Sequence, residues 1–131
     1  MNKKKFGKKL SRARGARGAL MRSLLRSLIL YGKITTTKTK AKFLLPGVNK
    51  LLVKVKANSL SDRREVLAAL NDKVVTKSLF KLKPEKVSVL ALGTRKGDNA
   101  PMVRVEFLGG RDKSQNLKTK VEPKKEIKIK K

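Results

Sequence analysis

SRARGARGALMRSLLRSLILY, residues 11–31, decides how the rest of the chain is read. Met21, Leu24, Leu25 and Leu28 stand at i, i+3, i+4 and i+7, the spacing of one helical face. Arg22 and Arg26 are also four apart and, with Ser23 and Ser27, fall on another face. Upstream, Arg12, Arg14 and Arg17 sit among small residues. The stretch predicts a helix with an apolar stripe for a core, a basic flank and an arginine-rich lead-in. Gly15 and Gly18 are poor helix formers, so the regular part is expected to begin near Arg17. Gly32 suits the left-handed cap that ends it.

Charge surrounds this helix on both sides. The chain has 131 residues and a formal net charge of +27. Residues 1–61 hold 17 Lys and Arg and no acid; residues 62–131 hold 19 bases against 9 acids. A compact domain this positive repels itself and gains from meeting a polyanion. Nucleic acid is the first partner such a balance implies, and an anionic membrane surface the second. There is no Cys and no His, which removes thiolate metal sites, disulfides, the commonest general base and the commonest nitrogen ligand. No apolar run approaches the roughly 18 residues of a membrane span. Arg22 and Arg26 interrupt what would be the core of a signal peptide. The acid-free region also runs well past an organelle transit peptide.

Outward from the central helix, residues 1–10 (MNKKKFGKKL) read as a lysine-rich arm, disordered until neutralised. KITTT, residues 33–37, favours a short strand. Thr37 suits the N-cap of a second helix, from Lys38 to about Lys56, with Leu44, Val48, Leu51, Leu52 and Val55 on its apolar face. Pro46 and Gly47 predict a kink or a break there. A third helix, about residues 61–70, opens with the loose capping box SLSD and buries Val66, Leu67 and Leu70. Asn71 and Asp72 mark the cap of a fourth, with Val74, Val75, Leu79 and Phe80 apolar. KVSVLALG, residues 86–93, reads as a buried strand, and PMVRVEFLG, residues 101–109, as an alternating one. The loop between them, residues 94–100, makes a hairpin with Arg95 and Lys96 at its tip. Residues 110–131 form a lysine-rich tail. The expected architecture is an α/β fold of the α+β type: helix, strand, three helices, two strands. A single domain at 11–109 lies between the arm and the tail.

In this order the pieces resemble the bacterial large-subunit ribosomal protein L17 family. The carrying segments are GKKLSR (7–12), ALMRSLLRSLI (19–29), KITTTKTKAK (33–42), SLSDRREVLAAL (59–70) and RKGDNAPMVRVEFL (95–108). RKGDNAPM is the most specific of them. Two departures stand out. Family members usually carry a longer Gly-, Tyr- and Arg-rich connection where this chain has LKPEKVSV, and the tail extends beyond the family core. The resemblance implies binding to large-subunit ribosomal RNA near the exit of the peptide tunnel, with other ribosomal proteins as neighbours. It also implies a two-layer α/β domain; the expected location is a cytoplasmic ribosome, with an organelle ribosome as the lesser alternative.

RNA contact is expected mainly through phosphates. Lys3, Lys4, Lys5, Lys8, Lys9, Arg12, Arg14 and Arg17 make one continuous basic arm, and Arg22 and Arg26 continue it along the helix. Lys38, Lys40 and Lys42 open the second helix, whose first amides also favour phosphate. Arginine grips phosphate in two parallel bonds and lysine acts as a point charge. Arg95, Lys96 and Asn99 at the hairpin tip are further candidates, though Gly97, Asp98 and Asn99 also suit the turn alone. Phe43, Phe80 and Phe107 read as core rather than base platforms; Tyr31 and Phe6 are the two candidates for exposure, and base stacking is expected to be minor. No zinc pattern, P-loop or aromatic RNA-binding strand is visible. Catalysis, cofactors, a metal, a small-molecule substrate, a membrane partner and homo-oligomerisation are not expected. A basic DNA-compacting protein is the rival class, and a membrane-active peptide is disfavoured by the hairpin.

Overall fold

The computed structural model describes residues 9–109, so the calls on Lys3, Lys4, Lys5, Lys8 and Phe6, and on the tail from Gly110, lie outside the described residues. Four helices and three strands follow in the order α1 (Arg14–Tyr31), β1 (Lys33–Thr37), α2 (Lys38–Ala57), α3 (Leu60–Leu70), α4 (Lys73–Leu82), β2 (Lys86–Thr94) and β3 (Pro101–Leu108). This is an α+β domain. The last strand lies in the middle of the sheet, in the order β1-β3-β2, and both pairings are antiparallel.

α1 buries Leu25, Leu28 and Ile29 and half-buries Met21 and Leu24, as its periodicity predicts. It begins at Arg14, three residues before the expected start. Gly15 and Gly18 do not break it, and the Arg17 amide already bonds the Ala13 carbonyl at 2.9 Å. Gly32 closes the helix at φ 71°, its amide donating to the Leu28 carbonyl. α2 buries Ala41, Leu44, Val48, Leu51, Leu52 and Val55 along one face. Of the expected kink or break at Pro46, the break does not occur: the helix continues through it. Proline removes the bond to the Lys42 carbonyl, but Lys42 is solvent-exposed, where water can take the place of that bond. Gly47 sits against Met21, and a Cβ there would stand 3.4 Å from the Met21 sulfur, so the two helices approach closely at this point.

Val66 and Leu70 of α3 and Val75 and Leu79 of α4 complete the helical side of the core. The apolar face of α4 is rotated from the predicted one: Val74 is 69% exposed while Thr76 is buried. Thr76 is tolerated there because its hydroxyl donates to the Asp72 carbonyl at 2.7 Å. Leu67 is only half-buried.

Val103 and Val105 of the central strand β3 point into the core, opposite Thr36 and Ile34 of β1. The reading of residues 86–93 as a buried strand is overturned. β2 is the edge strand, and Val89, Leu90 and Leu92 are 42%, 46% and 44% exposed. Its register slips between Ala91 and Gly93. High Val and Leu density signals a pleated surface but not whether the helical layer reaches it. Here that layer covers β1 and β3 and thins out over β2.

Candidate nucleic-acid interface

Among the described residues of the acid-free half, Lys9, Arg12, Arg14 and Arg17 lie around the start of α1, and Lys38, Lys40 and Lys42 in the first turns of α2. α1 begins at Ala13, which has no side chain to cap the first amides, and no acid lies in its first turn. Lys9, Arg12 and Arg14 are exposed around this start, and Arg17 is half-buried one turn in. Leu10 and Ser11 both take left-handed backbone (φ 53° and 50°), and the Arg12 amide closes the turn onto the Lys9 carbonyl. The Arg12 guanidinium donates back to the Leu10 carbonyl at 2.9 Å, which turns a flexible side chain into a positioned one.

α2 repeats the arrangement. Thr37 stands at the N-cap position with extended backbone, but its hydroxyl makes no capping bond, and again no acid lies in the first turn. Lys38 and Lys42 are exposed and Lys40 half-buried. In both helices the partial positive charge of the first amides is reinforced by cations rather than answered by a carboxylate. That combination attracts an anion.

The flank of α1 divides. Arg22 is exposed and lines a shallow cavity of about 280 Å³ with Ser23, Ser27 and Tyr31. Tyr31, one of the two candidates for exposure, is 69% exposed. Arg26 lines the same cavity but reaches the other way. Its Nε and Nη2 donate to the Leu70 carbonyl at 2.8 and 2.6 Å, and Nη2 also donates to the Asn71 carbonyl at 2.8 Å. It caps the C-terminal end of α3 and ties α1 to the α3–α4 junction. Nothing in the local sequence links residue 26 to residue 70.

At the hairpin tip the turn chemistry is plain. Gly97 (φ 104°) and Asn99 (φ 52°) supply left-handed backbone, and Arg95 and Ala100 pair across the turn. The Arg95 guanidinium forms a two-armed ion pair with Asp98. This pair, helped by the Ala100 amide, lowers the Asp98 pKa to about 2 and raises that of Arg95. Lys96 is exposed.

Among the described acids, Asp62, Glu65, Asp72 and Asp98 serve internal contacts. Ser59 Oγ accepts from the Asp62 amide at 3.1 Å, and Asp72 Oδ1 accepts from the Val74 and Val75 amides. Glu65 and Asp62 pair with Lys54 at the end of α2. Four cations absent from the sequence-based set, Arg63, Arg64, Lys73 and Lys77, ring a groove between α3 and α4. The spacing of Lys73, Thr76, Lys77 and Phe80 (i, i+3, i+4, i+7) was the available signal, but it needs the neighbouring helix to acquire meaning. Among the described residues no cluster of acids, Cys or His could hold a metal, and no helix is long and apolar enough to cross a membrane.

The fold and these helix starts define a class: a small basic α+β scaffold that presents uncapped helix N-termini among lysines and arginines. The family model for "Ribosomal protein L17" matches residues 20–108. A curated relative from Syntrophotalea carbinolica, "Large ribosomal subunit protein bL17", is 34% identical over 116 residues, covering 82% of this chain and 75% of the relative. The chain belongs to the ribosomal protein L17 family.

Proposed function

We propose that this protein is a structural constituent of the large ribosomal subunit. It binds and stabilises folded large-subunit ribosomal RNA through backbone phosphates, beside other ribosomal proteins and near the exit of the peptide tunnel, on cytoplasmic ribosomes. The observation that carries this reading is the pair of uncapped helix starts at Ala13 and Thr37, set in a half of the chain with no acid. The curated relative's name places that protein in the large subunit, which supports the same assignment here. The role is one of scaffolding, not catalysis. To Lys9, Arg12, Arg14, Arg17, Arg22, Lys38, Lys40 and Lys42 we assign the phosphate contacts, and Lys3, Lys4, Lys5 and Lys8 extend the set. Arg95, Lys96 and Asn99 act first in the turn, and Arg26 acts first as a cap.

Phosphate recognition of this kind reads the shape of folded RNA rather than a short sequence. With roughly eight phosphates contacted, log affinity falls against log salt with a slope of about −6 to −7. The test is a salt titration of binding to a large-subunit RNA fragment, with duplex DNA of equal length as competitor. A slope near −1, or equal competition by the DNA at near-physiological salt, defeats the proposal. The second outcome would favour a DNA-compacting role.

A further inference from the structure

The groove between α3 and α4 has a volume of about 420 Å³ and is lined by Arg63, Arg64, Leu67, Lys73, Thr76, Lys77 and Phe80. Its floor is apolar. Leu67 and Phe80 are half-buried, and the Thr76 hydroxyl is turned to the Asp72 carbonyl. Its rim carries four cations and no acid. The carboxylates nearest in sequence are engaged elsewhere, Asp72 with the first amides of α4, Glu65 with Lys54, and Asp62 with the Ser59 hydroxyl and Lys54. Arg63 is fixed in place. Its Nε and Nη2 donate to Asn58 Oδ1 at 3.2 and 2.9 Å, and its guanidinium carbon lies over the Phe80 ring, 5.3 Å from the centroid. Asn58 holds this position from the left-handed C-cap of α2. The result is an arginine–aromatic stack ordered without any ligand.

We propose that this groove is a second RNA site that seats one unpaired nucleotide, its base against Leu67, Phe80 and the Arg63 guanidinium and its phosphates among Arg64, Lys73 and Lys77. Charge decides the occupant. An aliphatic peptide segment would fill the floor but strip water from four cations and return no anion. A nucleotide supplies both a flat π-face and phosphate oxygens, the two things the floor and rim offer. A paired nucleotide has its faces stacked already, so the groove selects a base turned out of its helix. The inference rests on the RNA-binding function proposed above but uses none of the residues assigned there.

The test uses the full chain, labelled for amide spectra, and hexaadenylate, an RNA too short to fold. An RNA duplex and an apolar peptide are the comparison probes. Hexaadenylate is expected to shift the signals of Arg63, Leu67, Lys77 and Phe80 in a saturable way, while the duplex shifts mainly α1 and α2. Arg64→Gln with Lys77→Gln, both exposed, should weaken hexaadenylate at the groove by roughly tenfold and leave the duplex affinity unchanged within about twofold. Phe80→Leu should weaken it roughly five- to tenfold, and Phe80→Tyr should restore it. Equal groove shifts with duplex and hexaadenylate, shifts with the apolar peptide alone, or no loss in the double variant would overturn the proposal. If the groove stays silent while folded RNA still binds with the steep salt slope, the groove site is wrong and the broader function stands. If neither RNA binds, the broader function fails and the groove site with it.

Discussion

α1 starts at Ala13 and α2 at Thr37 with no side chain over their first amides and no acid in the first turn, whereas α3 starts under Ser59 and Asp62 and α4 under Asp72. A missing cap costs a helix about 1 kcal/mol, so two bare starts are an expense in the free protein. In the second half, by contrast, both helix starts carry a capping side chain, Ser59 on α3 and Asp72 on α4. The first half lacks them at the two starts where the proposed function seats a phosphate. The acids follow the same division: the first half has none, and among the described residues Asp62, Glu65 and Asp72 of the second half satisfy helix-start amides or pair with Lys54.

The strongest way to break this contrast is to remove cations from one bare start. Arg12→Gln, Arg14→Gln and Arg17→Gln together should flatten the salt slope of RNA binding by about three and weaken affinity for all RNA sequences alike. A slope unchanged in filter binding would show that the α1 start faces no phosphate. Next comes the tie between the halves. Arg26→Met strips the α3 terminus of its charge-assisted donors and should cost about 2 kcal/mol in urea unfolding. A loss below half that figure would reassign Arg26 to the RNA surface.

Swapping the two kinds of helix start sharpens the contrast further. Ala13→Asp should stabilise the free protein by about 0.5–1 kcal/mol and lower RNA affinity at least several-fold, because cap and phosphate compete for the same amides. Asp72→Ala should do the reverse for stability, costing about 1 kcal/mol, with RNA affinity held or slightly raised. Parallel changes in stability and affinity for Ala13→Asp would refute the competition. The smallest effect lies at the hairpin tip. The Asp98 pKa is lowered to about 2 by the Arg95 ion pair, so the pair's contribution is complete above the ordinary carboxylate value and is lost as pH falls through about 2. Carboxyl shifts of Asp98 should be flat from pH 8 to 5 and move only near the acid end; titration near pH 4 would mean that the pair does not form in solution.

Much of this fold was legible because the helices carry their periodicity locally. Leu25 and Leu28, the face from Leu44 to Val55, and the caps at Gly32, Ser59 and Asp72 all follow from neighbours within a turn or two. What was not legible depends on distant parts of the chain. Whether β2 is buried is decided by where α2 lies, not by KVSVLALG itself. The role of Arg26 is set by a helix end 44 residues away. The exchange of Val74 for Thr76 on the buried face turns α4 by part of a turn, which its short sequence does not specify. The bare helix starts were only half legible: the cations were visible, but Thr37 looked like a cap until its hydroxyl was seen to make no capping bond.

The open side of β2 leaves Val89, Leu90 and Leu92 in water along nine residues of edge strand, bounded by Lys86 at one end. Such an edge is a template on which identical chains can stack into fibrils. Mutual repulsion at +27 holds the copies apart, and added electrolyte screens that repulsion. Purified protein should therefore cloud as ionic strength rises, the opposite of ordinary salting-in, and storage at low ionic strength follows directly from the exposed strand.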